Sequence, residues 1–413
     1  MFENEKIYFN NSNIKYIFEE TDINCDKLIV IFSGYATNTS TIQHKYNYMN
    51  SLQHIKCHKL FILDDNGKTG SYYIGEKLNF NVETSIISLI LDVTTYLGIS
   101  VEDIISLGSS KGGTAALYYG LKYKFGSIIA GAFQTKISDL ITERRPESEE
   151  FLLGDKRHSE YNENYKRLNN IIFDQLNSSI KSNMYFLTSE NDWQYKTHIL
   201  PFIQYLNEID IEYYLEKSEE MKNHSQISTY FPNFFNQILL KILYGIKIEN
   251  INIVNQSSIV VNADYKFDGL YKINVVSKID GKEYLHDKNG SLLPHRPGHY
   301  STYIVIMDYD NTEMYRYFIK SNFNGAGYYD ILETSAKIEN DELSYEVKTT
   351  HQHELTYAFY IYENDEMLEF VPYQMSNLLQ RKVNSKNTYT VKCYIKSKDG
   401  SKVVLNDSPT YLR

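Results

Sequence analysis

Apolar and polar residues alternate through Ile7 and Phe9 and again through Ile14, Tyr16 and Phe18, which predicts an opening antiparallel pair of strands within residues 7–20. The pattern then changes. Lys27–Phe32 and Lys59–Leu63 are continuous apolar runs of strand length, as expected of strands buried on both faces of a parallel sheet. A helical repeat over about 82–97 leads to a strand at Asp103–Leu107, and a helix rich in small residues runs on from Thr114. Further strands are predicted at Ser127–Phe133, Met184–Thr188 and Ile211–Leu215, with helices near Thr197–Asn207 and Gln226–Tyr244. Strands alternating with helices imply a mostly parallel sheet with helices on both faces. The polar, charged stretch from Lys136 to Ser179 has helical segments and stands where such a fold would carry a cap over its site.

From Ile246 the helical period stops, and short alternating strands separated by Asn, Asp, Gly and Ser take over. Lys247-Ile248-Glu249-Asn250 recurs as Lys337-Ile338-Glu339-Asn340, ninety positions on. The expected organisation is an α/β domain over 1–245 followed by two all-β sandwich modules, 246–330 and 331–413.

Composition narrows the partners. Lys and Arg number 42 against 52 Asp and Glu, a net charge of -10, which disfavours a general nucleic-acid or anionic-membrane binder. No run approaches the roughly 18 apolar residues of a membrane span, and the first residues lack a basic and apolar leader, so a cytoplasmic protein is expected. Cys25, Cys57 and Cys393 are widely spaced and odd in number, the mark of reduced thiols rather than a disulfide framework. The 38 tyrosines fit a composition bias and carry no functional weight as a set.

Gly108-Ser109-Ser110-Lys111-Gly112 fits G-x-S-x-G between a predicted strand and a predicted helix, the setting of a nucleophile elbow. A phosphate loop would need Lys and a hydroxyl residue after its second glycine, and Lys111 precedes the glycine pair. The remaining alternative is a glycine-rich turn without chemistry. A serine nucleophile needs a base and a group that orients the base. Asp192 follows the Met184–Thr188 strand and His224 the Ile211–Leu215 strand, giving the chain order Ser, acid, His. Glu190 shares the loop with Asp192 and is the alternative acid. His44, His54 and His58 precede the elbow, and His198 follows the acid too closely.

For the oxyanion, the expected donors are the backbone N–H of Lys111 and that of Tyr35 or Gly34, in the loop after the early buried strand. The Lys111 side chain reads as a solvated lysine on a first helical turn, with attraction of an anionic donor or glycan as the alternative. Asp64–Gly67 and Gly70–Tyr73 follow a strand end on the same rim and either line the site or form a structural turn. His351-x-His353 and His295-x3-His299 lack a third ligand, so no metal is expected.

Through Gly108–Gly112, Asp192 and His224 the chain resembles the α/β-hydrolase superfamily over about 7–244. The Ser-Lys-Gly-Gly sequence with a β-sandwich tail is similar to bacterial glycan O-acetyltransferases serving capsule synthesis or accessory secretion of glycoproteins. The resemblance implies an acyl-Ser110 intermediate, no bound cofactor, acetyl-CoA as a possible acyl donor, and a carbohydrate or glycoprotein acceptor. Two other classes stay open at this point: a non-catalytic carbohydrate-binding or assembly protein that works through its β modules, and a serine peptidase.

Overall fold

The computed structural model describes residues 4–35, 37–38, 42–177, 179–254, 258–265, 270–279, 282–286, 299–324, 331–350, 355–364, 366–384, 386–397 and 402–405. The chain divides into two compact units, Met1–Lys247 and Ile248–Arg413.

The first unit is built on an eight-stranded sheet of β1 (Lys6–Phe9), β2 (Asn13–Glu19), β3 (Leu28–Phe32), β4 (His58–Ile62), β5 (Ile104–Ser109), β6 (Ser127–Gly131), β7 (Asn183–Thr188) and β8 (Tyr214–Lys217). Their spatial order is β1-β2-β4-β3-β5-β6-β7-β8. The β1/β2 and β2/β4 pairs are antiparallel, and every other pair is parallel. Period-two pleating explains the continuous apolar runs. Leu28, Val30, Phe32, Leu60, Ile62, Ile128 and Ala130 point to one face and share a core with the helices α1 (Asn81–Leu97), α2 (Lys111–Lys122) and α6 (Leu200–Glu208). Ile29, Ile31, Phe61, Ile105, Leu107 and Ile129 occupy the alternate positions and are equally buried. This is an α/β-hydrolase-like sheet. Strand order reverses around β3, so the crevice at the carboxyl ends of β3 and β5 is a topological switch point, where open α/β sheets place ligands.

The segment after β6 folds as α3 (Ile137–Arg144), α4 (Pro146–Leu153) and α5 (Ser159–Asn170), and the unit closes with α7 (Ile227–Tyr244). The last strand differs from expectation: it spans Tyr214–Lys217, not Ile211–Leu215. Asp210, at φ 56°, ends α6 in the left-handed region, and Ile211 N–H donates to Leu206 O at 3.0 Å. Ile211 is thus drawn into the helix terminus, and the strand begins three residues later.

Two cysteines distant in sequence meet. Cys25 Sγ lies 3.3 Å from Cys57 Sγ, because the parallel β3/β4 pair brings the segments preceding both strands together. Both thiols are free, and the hydrogen bond shared with Cys57 lowers the Cys25 pKa to about 7.

The second unit is antiparallel β. A ribbon of β9 (Ile246–Val254) and β10 (Ser258–Tyr265) precedes a four-stranded sheet of β11 (Tyr271–Ile279), β12 (Lys282–Leu285), β13 (His299–Asp308) and β14 (Glu313–Asn324), in order β12-β11-β13-β14. Next come β15 (Ile331–Glu339), β16 (Glu342–Thr349), β17 (Leu355–Glu363), β18 (Glu366–Gln374), β19 (Leu378–Lys382), β20 (Tyr389–Ser397) and β21 (Lys402–Leu405). They form the sheets β15-β16-β19 and β18-β17-β20-β21. Leu343, Tyr345, Val347 and Leu379 of the first share one core with Tyr357, Phe359, Ile361, Cys393 and Ile395 of the second, a face-to-face sandwich. The repeated tetrapeptide occupies unlike places. Lys247–Asn250 lies within β9, whereas Asn340 and Asp341, at φ 51° and 61°, form a two-residue hairpin turn.

Candidate active site

Ser110 stands between β5 and α2 with φ 53° and ψ −125°, a conformation costly for a residue with a Cβ. The surroundings impose it: Ser110 N–H donates to Gly131 O at 2.8 Å, and Ser110 O accepts from Thr114 N–H at 2.9 Å. Glycine on either side permits the approach. A Cβ on Gly108 would lie 2.3 Å from Gly112 O, and one on Gly112 would lie 2.2 Å from Phe32 O. The helix therefore begins directly upon β3 and β5.

At the tip of this turn Ser110 Oγ lies 2.9 Å from His224 Nε2, and His224 Nδ1 lies 2.8 Å from Asp192 Oδ2. The carboxylate side chain is wholly buried and the imidazole mostly so. Asp192 Oδ1 accepts from Gln194 N–H at 2.9 Å, so both carboxylate oxygens are engaged. His224 opens a short helical turn capped by Asn223, whose Oδ1 accepts from Ser225 N–H at 3.1 Å. Glu190 points elsewhere: it pairs with Lys217 at 2.7 Å on the surface, and that ammonium holds its carboxyl below the usual range.

The helix start also presents the Lys111 N–H. Of the two expected donors in the loop after β3, Gly34 N–H donates to Asn47 Oδ1 at 2.7 Å and is thus committed. The Lys111 side chain is not the solvated lysine expected at a first turn. It is fully buried and meets the equally buried Asp64 at 2.7 Å. Its ammonium also lies 5.4 Å from the Tyr35 ring and 5.1 Å from the Tyr73 ring. Asp64 accepts in addition from Ser71 N–H and Oγ–H, both with contacts at 2.8 Å, and from Tyr73 N–H at 3.3 Å. The Asp64–Tyr73 loop is therefore tied to the residue after the proposed nucleophile.

Two glutamines escaped the sequence reading. Gln134, just past β6, is 1 % exposed. Its Nε2 donates to Ser110 Oγ at 3.0 Å and to Gln194 Oε1 at 3.1 Å, while its Oε1 accepts from Tyr72 Oη–H at 3.2 Å. Gln194 Nε2 lies 3.4 Å from His224 Nε2. The available clue was position alone, a polar residue at the exit of a strand beside the elbow strand. Behind the elbow, Tyr48 Oη lies 2.5 Å from Ser109 Oγ.

His198, set aside on chain order, sits on a π-helical turn, Tyr195–Ile199, and its burial lowers its pKa to about 4. A histidine whose folded pKa lies below the unfolded value of about 6.5 binds its proton more readily when unfolded. Stability should be complete above about pH 6.5 and decline as the pH falls toward 4, by on the order of 3 kcal/mol. Urea midpoints at pH 7 and 4.5 check this: His198→Gln should remove that part of the decline, and an unchanged decline speaks against it.

Among the described residues no cluster of three or more His, Cys, Asp or Glu side chains is placed to hold a metal ion. His295, His351 and His353 lie outside those residues, and of His299 only the backbone is described. No helix among the described residues is long and apolar enough to cross a membrane.

A family model described as "Accessory Sec system GspB-transporter" matches residues 7–151. No curated protein matches the chain in sequence. Among solved structures, the chain is similar to a mutant capsule O-acetyltransferase of Neisseria meningitidis serogroup A in complex with CoA, at 22 % identity over 57 % of this chain and 94 % of that one, with a TM-score of 0.49. It is also similar to a glycosylation-associated protein complex of Streptococcus agalactiae, at 18 % identity over 57 % of this chain and 46 % of that one, TM-score 0.46. A fluorophosphonate-binding serine hydrolase of Staphylococcus aureus matches at 17 % identity over 56 % of this chain and 92 % of that one, TM-score 0.41.

Proposed function

We propose that the protein transfers an acyl group, acetyl above all, through an ester on Ser110 to a hydroxyl of a bacterial surface carbohydrate, or hydrolyses such an ester. The observation that carries this reading is the continuous hydrogen-bonded chain Ser110–His224–Asp192 at a strained strand-to-helix turn. The acetyl group, the carbohydrate acceptor and acetyl-CoA as donor enter through the resemblance of the elbow sequence to glycan O-acetyltransferases.

In the first half-reaction His224 Nε2 takes the Ser110 proton as Oγ bonds the acyl carbon, and Asp192 stabilises the imidazolium that results. Lys111 N–H, at the positive end of α2, donates to the oxygen that gains charge. Collapse of the tetrahedral intermediate breaks the bond to the donor, whose thiolate or alkoxide takes the proton from His224. In the second half-reaction His224 deprotonates the acceptor hydroxyl or water, which attacks the acyl carbon. The carbon–Oγ bond breaks, and Ser110 regains its proton. Gln134 Nε2 donates to Oγ in the resting site, and the same bond steadies Oγ as it leaves. Gln134→Leu is accordingly expected to lower kcat/KM for an activated acetyl ester by about 10- to 100-fold, a lost hydrogen bond to a charged group. Steady-state rates check this, and a change under twofold opposes it.

Transfer and hydrolysis are separated by discharge. Ser110 acetylated by acetyl-CoA is followed by intact mass, with and without oligosaccharides. Loss of the acetyl group faster with glycan than in buffer supports a transferase, equal loss in both supports an esterase, and absence of any adduct from thioester and activated ester opposes the whole reading.

A further inference from the structure

Beside the triad lies a second concavity of about 500 Å3, formed where α3 meets the turn between β7 and α6. Trp193 connects the two. Its ring centroid is 6.1 Å from that of His224 and 6.2 Å from that of His198, and the Arg144 guanidinium covers it at 3.9 Å. Lys136, Lys196 and His198 also line the space.

Cationic and N–H groups outnumber the carboxylates that line it: Lys136, Arg144, Lys196 and His198 against Asp139 and Glu143. Neither Lys136 nor Lys196 forms an ion pair among the described residues. Both lining carboxylates are engaged: Asp139 accepts from Tyr165 Oη–H at 2.6 Å and Asn169 Nδ2–H at 2.8 Å, and Glu143 pairs at 3.0 Å with Arg144, which also lines the pocket. His198 is 3 % exposed, and its Nδ1 accepts the Lys136 backbone N–H at 3.3 Å. That bond assigns the proton of the neutral ring to Nε2, making a further donor. With Arg144 balanced by Glu143, Lys136 and Lys196 remain as cations that form no ion pair among the described residues, and with the His198 N–H they are the groups offered to a phosphate.

We infer that this pocket holds a phosphate group of a substrate whose reacting end reaches Ser110. As a subsite of the acyl transfer it rests on the reading above; as a phosphate site it stands on its own. The phosphate belongs either to the carrier of the acyl group or to the acceptor glycan, and the chemistry of recognition is the same for both.

Trp193 is the only tryptophan in the chain, so its fluorescence, excited at the red edge where the tyrosines do not absorb, reports the pocket. The full chain is titrated at constant ionic strength with CoA against phosphate-free pantetheine, and with a phosphorylated oligosaccharide against its dephosphorylated form. The expected result is a saturable change with the phosphate-bearing member of one pair, at least tenfold weaker with its phosphate-free counterpart. Lys136→Ala/Lys196→Ala should weaken it at least tenfold, and Lys136→Arg/Lys196→Arg should restore it. The pair that responds names the source. No saturable change with either phosphate ligand, or equal affinity in the alanine double variant, overturns the site. Phosphate binding by a protein that never acylates Ser110 would sink the proposed reaction and leave the pocket; acylation without phosphate binding would do the reverse.

Discussion

Replacing Ser110 by Ala is expected to lower kcat for an activated acetyl ester by roughly 10^4- to 10^6-fold, the scale on which loss of a triad nucleophile acts. The strained turn does not depend on the hydroxyl: the Gly131 and Thr114 backbone bonds and the close contacts at Gly108 and Gly112 hold it. The unfolding free energy from urea denaturation should therefore stay within about 1 kcal/mol of the parent. Asp192→Asn is expected to cost on the order of 10^4-fold in kcat, because an amide can present its N–H to Nδ1 and select the wrong tautomer. Turnover by Ser110→Ala at more than a tenth of the parental rate contradicts the assignment.

The largest expected effect on stability lies at the residue after Ser110. Lys111 and Asp64 are both fully buried and 2.7 Å apart. Removing one partner strands the other's charge in a medium that solvates it poorly, which typically costs about 3–5 kcal/mol. Lys111→Met and Asp64→Asn should each approach that loss in urea denaturation. Against a usual total of about 5–15 kcal/mol, either variant is severely weakened. The double variant should lose much less than the sum, because it leaves neither charge unpaired. Single losses below about 1 kcal/mol, or a strictly additive double, contradict a buried ion pair.

Much of this was legible in the chain because it is local. The unbroken apolar run Leu28–Phe32 announces a strand buried on both faces, and the glycines around Ser110 announce a turn under close packing. The chain order singles out Ser110, Asp192 and His224 as candidates, and the fold brings those three within hydrogen-bond reach. What was illegible depends on pairings between distant segments. Lys111 has the sequence look of a surface residue, and only the packing of the α2 start beside the β4 exit puts Asp64, 47 positions away, against its ammonium. Cys25 and Cys57 come together through parallel pairing, which periodicity does not encode. Gln134 lies beyond the apolar pattern of its strand and gains meaning only once the neighbouring strand carries Ser110. Ile211–Tyr213 reads as the start of a strand because its alternation is sound, yet the left-handed Asp210 turns the chain there.

The most direct test of the central claim is rapid-quench labelling with an activated acetyl ester, followed by mass mapping of the acetylated peptide. The account predicts acetyl on Ser110, formed at least as fast as steady-state turnover and absent from Ser110→Ala. Turnover with no acetyl on Ser110, or a label carried elsewhere at a competent rate, would contradict it.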